Sequence, residues 1–157
     1  MTRAPEVLSG VVHPWHLDTL GHMNARWYAH LLDDAAFQFW ARHGLGQAQM
    51  RQKAGVATVT ASTKVDFLRE IGAGDCFIVT GGPARIGGKS VTLDFSITVV
   101  STGAEHARLS TVEVFVDAAD HHSVAIPDTI RSILTAAMVG GQPSETPASS
   151  EQDLEPR

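Results

Sequence analysis

Apolar residues fall in adjacent pairs from position 27 onward: Trp27 and Tyr28, Leu31 and Leu32, Ala35 and Ala36, Phe39 and Trp40. Pairs repeating at this spacing draw one wide hydrophobic stripe along an α-helix. Asn24 is a suitable N-cap residue, because its side chain can satisfy an exposed helical N–H. Gly44 suits the helix end, so the pattern predicts a helix over about 24–43, roughly 30 Å long at 1.5 Å per residue. A loop at 16–23 leads into it.

Elsewhere the period changes. Residues 7–15 form a candidate first strand, ending near Pro14, which cannot donate to a ladder. Four further strand-like runs cover 57–68, 75–85, 90–101 and 108–117. The third is the most regular, placing Val91, Leu93, Phe95, Ile97 and Val99 on one face. The intervening GAGD, IGGK and STGAEH segments are short and glycine-bearing, which predicts antiparallel neighbours. Residues 44–55 are polar and read as a connection. A second helix is predicted over 126–138, with Pro127 in its first turn. From 140 onward GGQPSETPASSEQDLEPR has almost nothing to bury and reads as a disordered tail. One domain over 1–139 is expected. The order is strand, long helix, four strands, short helix: an α+β architecture in which a curved antiparallel sheet of about five strands wraps the long helix. One sheet face and any edge strand would still need cover, so a homo-oligomer is expected.

Composition narrows the functions. With 43% hydrophobic and 18% charged residues, the 157-residue chain has the makeup of a globular protein with a proper core. A net charge of −5 argues against a nucleic-acid partner or an anionic membrane surface. No run approaches a membrane span and the first residues lack the apolar run of a signal peptide, so a cytoplasmic location is expected. Cys76 is the only cysteine. That excludes an intrachain disulfide, and its place at a strand start reads as a small buried hydrophobe.

The candidate chemistry sits before the long helix. A helix N-terminus offers unpaired N–H groups and partial positive charge, which suit a carbonyl that gains negative charge during reaction. Asp18 lies in the loop ahead of it and could attack such a carbonyl or activate a water. The alternative is a loop aspartate that caps the helix or shapes an Asx-turn. His22 reads as a loop anchor more than a proton donor, and Asn24 as a cap. Tyr28, the one tyrosine, reads as a pocket-lining core residue. His13, His16, Asp18 and His22 would need a single loop to fold round an ion, so no metal site and no cofactor is expected. His121-His122 reads as a solvated turn. GGPARIGGKS lacks P-loop spacing and context and reads as a hairpin turn. Arg69, Arg85 and Lys89 could meet phosphates, Arg85 being better read as a surface charge.

Several stretches resemble a known family. DTLGHMNARWY is similar to the D-x-x-G-H-x-N-x-x-x-Y stretch of hotdog-fold acyl-CoA thioesterases of the 4-hydroxybenzoyl-CoA thioesterase-like group. FLREIGAGD, IGGKSVTLDFSI, VFVD and the Ile126-Pro127 pair resemble later parts of that family in the same order. The resemblance implies a hotdog fold and hydrolysis of an acyl-CoA to a carboxylic acid and CoA. It assigns Asp18 as the catalytic carboxylate, Gly21 as the glycine that turns the loop into the helix, and the Ala25 backbone N–H as the group polarising the thioester carbonyl. It places Lys89 and Ser90 on the coenzyme A arm and the site at the interface of a homodimer or homotetramer. A hydratase or dehydratase acting on an acyl thioester, which would want a His–Asp or His–Glu pair at the pocket, and a non-catalytic acyl-CoA or acyl-carrier binding module are the alternatives.

Overall fold

A computed structural model describes residues 4–138 of the chain. The expected tail falls outside the described residues. The elements, in chain order, are β1 (Glu6–Val11), a 3-10 turn (Pro14–His16), α1 (Ala25–Arg42), α2 (Gln47–Ala54), β2 (Val56–Phe67), β3 (Cys76–Ile86), β4 (Ser90–Val99), β5 (Glu105–Asp117) and α3 (Asp128–Ala137). All five strands form one antiparallel sheet in the order β1-β3-β4-β5-β2. Helix α1 packs across one face and touches β1, β2, β4 and β5.

The stripe does what its spacing predicts. Tyr28, Leu32, Ala35, Ala36, Phe39 and Trp40 are buried, while Trp27 and Leu31 pack at the margin of the core. Val91, Leu93, Phe95, Ile97 and Val99 of β4 face the helix and are all buried. Each such side chain removed from water contributes about 1.5–3 kcal/mol. Asn24 caps α1, its Oδ1 accepting the Arg26 N–H at 3.1 Å. α3 packs on β3 through buried Ile130 and Leu134, with Pro127 just ahead of its first turn.

Four expectations change. Residues 44–55 hold a helix, α2, where a plain connection was expected. Met50 is its one fully buried side chain and Ala54 packs at the margin of the core, so a single large apolar residue among polar ones and alanines left no period to read. The first strand stops at Val11, and His13 and Trp15 do not alternate on it; their rings stack, 4.2 Å apart, beside the 3-10 turn that Pro14 opens. The GAGD connector does not join neighbours. β2 pairs with β5 at one edge, and the chain crosses over residues 68–75 to β3 beyond β4. Cys76 is exposed, because the first residue of β3 sits at the rim of the sheet.

Among the described residues no helix is long and apolar enough to cross a membrane.

Candidate active site

The loop before α1 is closed by its own backbone. Asp18 N–H donates to the His22 carbonyl at 2.8 Å and Gly21 N–H to the Asp18 carbonyl at 3.1 Å. Asp18 Oδ1 accepts the Leu20 and His22 N–H groups at 2.8 and 3.3 Å. This is the Asx-turn expected as the alternative role of Asp18. It occupies Oδ1 alone; Oδ2 has no hydrogen-bond donor among the described residues. Gly21 adopts φ +83°, the left-handed region that an L side chain resists. A Cβ there would meet nothing within 4 Å, so the backbone and not the space calls for glycine.

Two contacts tie this loop to the rest. Asn24 N–H donates to the His16 carbonyl at 2.9 Å, and Met23 N–H to the Ile71 carbonyl at 2.8 Å, in the β2–β3 crossover. There His22 Nε2 lies 3.0 Å from Glu70 Oε2. The buried His106 ring fixes the crossover in turn, its Nδ1–H donating to the Glu70 carbonyl at 2.9 Å.

At the helix start the donors separate cleanly. The Arg26 N–H is taken by the Asn24 cap, and the Trp27 N–H by the Asn24 carbonyl at 3.0 Å. The exposed Ala25 N–H has no acceptor among the described residues. One turn on, Tyr28 is buried edge-on against Phe67, with ring centroids 4.9 Å apart. Burial, with the Asp18 charge nearby, pushes the Tyr28 phenol up to about 12. Asp18, Gly21, His22, Asn24, Ala25 and Tyr28 therefore gather at one loop–helix join.

The remaining candidates divide. Arg69 is exposed in the crossover, its N–H bonded to the His106 carbonyl at 3.0 Å, at the same end of the sheet. Lys89 and Ser90 lie at the β3–β4 hairpin, at the other end. Ser90 is opposite Val114, and Lys89 Nζ lies 3.3 Å from Ser123 Oγ. From His106 to Val114 along β5 is roughly 26 Å at 3.3 Å per residue. One chain thus does not bring Lys89 and Ser90 to Asp18.

Sequence reasoning missed two carboxylates. Glu70 gave no signal, since a charge in a polar connection reads as solvated. Glu113 did: it falls in step with Leu109, Thr111 and Phe115 on the inward face of β5. It is 6% exposed and accepts the Trp40 indole N–H at 2.9 Å. Burial raises its carboxyl above the usual range against the hydrogen bonds from Thr58 and Trp40, and the Asp33 charge adds to the rise. Among the described residues no three His, Cys, Asp or Glu side chains converge as metal ligands.

Known structures share this fold. A hypothetical protein of Staphylococcus aureus, solved with CoA, is 19% identical, with a TM-score of 0.76 over 87% of this chain and 86% of its own. A Thermus thermophilus thioesterase complexed with coenzyme A and Zn is 23% identical, with a TM-score of 0.72 over 87% and 97%. A 1,4-dihydroxy-2-naphthoyl-CoA thioesterase from Synechocystis is 14% identical, with a TM-score of 0.71 over 82% and 93%. No curated protein matches the sequence. The sheet order and long central helix are those of the hotdog fold that the sequence resemblance implied. Residues 12–134 match the family model of the thioesterase-like superfamily, and the chain belongs to that superfamily.

Proposed function

We propose that the protein is an acyl-CoA thioesterase, hydrolysing its substrate to a carboxylic acid and free CoA. The observation that carries this reading is the pair of unused groups at one join: Asp18 Oδ2 without a donor and the Ala25 N–H without an acceptor. The N–H, at the positive end of α1, polarises the thioester carbonyl and holds the developing oxyanion. One such donor is commonly worth ~10²–10³ in rate. Asp18 then acts in one of two ways. As nucleophile it forms a mixed anhydride, CoA leaves as thiolate, and water releases the acid. As base it takes a proton from a water that attacks the carbonyl directly. Both routes end at the same products. Membership of the thioesterase-like superfamily supports the reaction class.

Coenzyme A contacts are assigned to Lys89, Ser90 and Arg69, and pocket contacts to Tyr28. Lys89 and Ser90 serve the Asp18 of a second copy, in a homodimer or homotetramer. Their distance from Asp18 within one chain supports this. So do exposed Phe37 on α1 and Val59 and Phe67 on the edge strand β2, hydrophobic groups that an interface would cover.

A second reading has one observation in its favour. The His22–Glu70 pair, 3.0 Å apart beside Asp18, is the kind of acid–base pair that hydration of an enoyl thioester uses. Glu70 is largely solvated, which leaves hydrolysis the better fit. An acyl-CoA panel with a thiol reagent tests both. Thiol release lost on Asp18→Asn, with the fold intact, supports hydrolysis. Asparagine keeps the Oδ1 acceptor of the loop and removes the charge, so turnover surviving in that variant sinks the Asp18 assignment. Loss of enoyl absorbance without thiol release favours the hydratase.

A further inference from the structure

Three successive carbonyls at the tip of the β3–β4 hairpin are held by donors from other elements. Arg131 of α3 supplies two of these bonds: its Nη2–H donates to the Gly87 carbonyl at 2.8 Å and to the Gly88 carbonyl at 3.3 Å. The Ile126 N–H, just ahead of α3, also donates to the Gly88 carbonyl, at 3.0 Å. The Phe115 N–H of β5 donates to the Lys89 carbonyl at 2.8 Å. Among the described residues every peptide is trans. In a planar trans peptide the N–H points opposite to the carbonyl. The Gly87 carbonyl shares its peptide with the Gly88 N–H, and the Gly88 carbonyl shares its peptide with the Lys89 N–H. Both N–H groups are therefore turned away from the Arg131 guanidinium. Neither has an acceptor among the described residues, and Gly88 and Lys89 are exposed.

The charges act in the same sense. Lys89 Nζ lies 3.3 Å from a hydroxyl, Ser123 Oγ, and neither Lys89 nor Arg131 is paired with a carboxylate among the described residues. Arg131 is half-buried, so its charge adds to that of Lys89 from within. Successive backbone N–H groups on one side of a turn are anion donors, and here they sit at a lysine. We propose that Arg131 is a positioning residue for coenzyme A. It holds the Gly87 and Gly88 carbonyls on the α3 side and so presents the Gly88 and Lys89 N–H groups, with the Lys89 ammonium, to the phosphates. Arg131 acts through the hairpin and does not itself touch the ligand. The role rests on the coenzyme A contacts proposed for Lys89 and Ser90. A guanidinium suits it, being planar, always charged and able to meet two adjacent carbonyls at once.

Calorimetric titration with CoA, and with pantetheine, the same arm without nucleotide or phosphates, tests the role. Arg131→Met removes the donors and the charge and keeps an apolar stem, while α3 still packs through Ile130 and Leu134. It is expected to weaken CoA binding about tenfold, the effect of one charge-assisted hydrogen bond lost, and to weaken pantetheine much less. Arg131→Lys keeps the charge and should regain part of the loss. In thiol release the loss should fall on KM for acyl-CoA and not on kcat. On the unaltered protein, the ¹⁵N amide signals of Gly88 and Lys89 should move saturably with CoA and not with pantetheine. That measurement carries the test if a variant fails to fold. The proposal is overturned by CoA bound as tightly by Arg131→Met as by the unaltered protein, by equal losses for CoA and pantetheine, or by no recovery in Arg131→Lys. Gly88 and Lys89 amides that ignore CoA, or no CoA binding at all, also overturn it. The expected pattern of CoA binding without thiol release from any acyl-CoA supports the role of Arg131 and sinks the hydrolysis reading alone.

Discussion

His22 Nε2 and Glu70 Oε2 stand 3.0 Å apart across two loops, and that contact links the Asp18 turn to the β2–β3 crossover. The pair is partly solvated, so its stabilising contribution should be below about 1 kcal/mol. Its consequence is expected in positioning. Glu70→Gln should leave the thermal midpoint within a few degrees of the unaltered protein, about what such a loss allows. Thiol release should fall, with the loss in kcat and not in KM. An unchanged kcat would show that the Met23 N–H to Ile71 carbonyl bond holds the loop unaided.

Tyr28 reports on Asp18. It is the one tyrosine in the chain, so ultraviolet titration reads a single phenol. The folded protein should ionise it near 12, and the urea-unfolded chain near 10. Burial is the larger cause and the Asp18 charge the lesser, so Asp18→Asn should lower the midpoint without returning it to 10. No change in the variant would separate the two residues electrostatically.

Glu113 should make stability fall as pH rises. Its carboxyl is raised in the folded state, so the neutral form favours folding. That contribution is complete below the unfolded value of about 4.3 and is lost as pH climbs through the folded value. Glu113→Gln cannot ionise and keeps an acceptor for the Trp40 indole. Urea midpoints measured from pH 4 to pH 8 should decline more steeply for the unaltered protein than for the variant. Parallel curves would overturn the assignment.

Two glycines should respond differently to alanine. At Gly21 only the positive φ resists, costing about 1–2 kcal/mol, with thiol release falling as the Asp18 turn distorts. At Gly81, inside β3, an added Cβ would stand 2.1 Å from the Asp94 carbonyl oxygen, a clash of backbone with backbone. Gly21→Ala is expected to fold and Gly81→Ala to be recovered poorly or not at all. Circular dichroism and soluble yield check both.

Mixing tests the assignment of Lys89 to a second copy. Asp18→Asn and Lys89→Ala are each expected to be slow. After co-refolding, a mixed dimer has one site with both residues intact and should recover activity. Activity that stays at the average of the two variants would overturn the assignment of Lys89 to the Asp18 site of a second copy.

How much was legible follows from which signals are local. The α1 stripe and the β4 alternation are local periods; the β4 face is buried residue for residue, and the stripe is buried apart from Trp27 and Leu31 at its margin. The Asn24 cap is local too, its partner two residues away. The crossover was illegible because a short glycine-bearing connector looks the same whether its strands pair or not; β5 takes β2, and nothing in GAGD says so. The loop–helix join was readable as a constellation, but the division between Asp18 Oδ1 and Oδ2 was not. Glu70 was silent for the same reason as the crossover, since its partner His22 is remote in sequence. Glu113 could have been found, because a carboxylate in step with inward-facing apolar positions breaks the binary pattern.

The crossover also orders events in time. β3, β4 and β5 follow one another through short turns and can pair as they form, whereas β2 must wait for β5 before its ladder closes. Residues 68–75 hang between those two events, and it is their Ile71 carbonyl that receives the Met23 N–H. The Asp18 loop is therefore expected to be among the last parts to acquire its shape during folding. Pulsed hydrogen exchange during refolding should find the Met23 amide protected after the amides of β4.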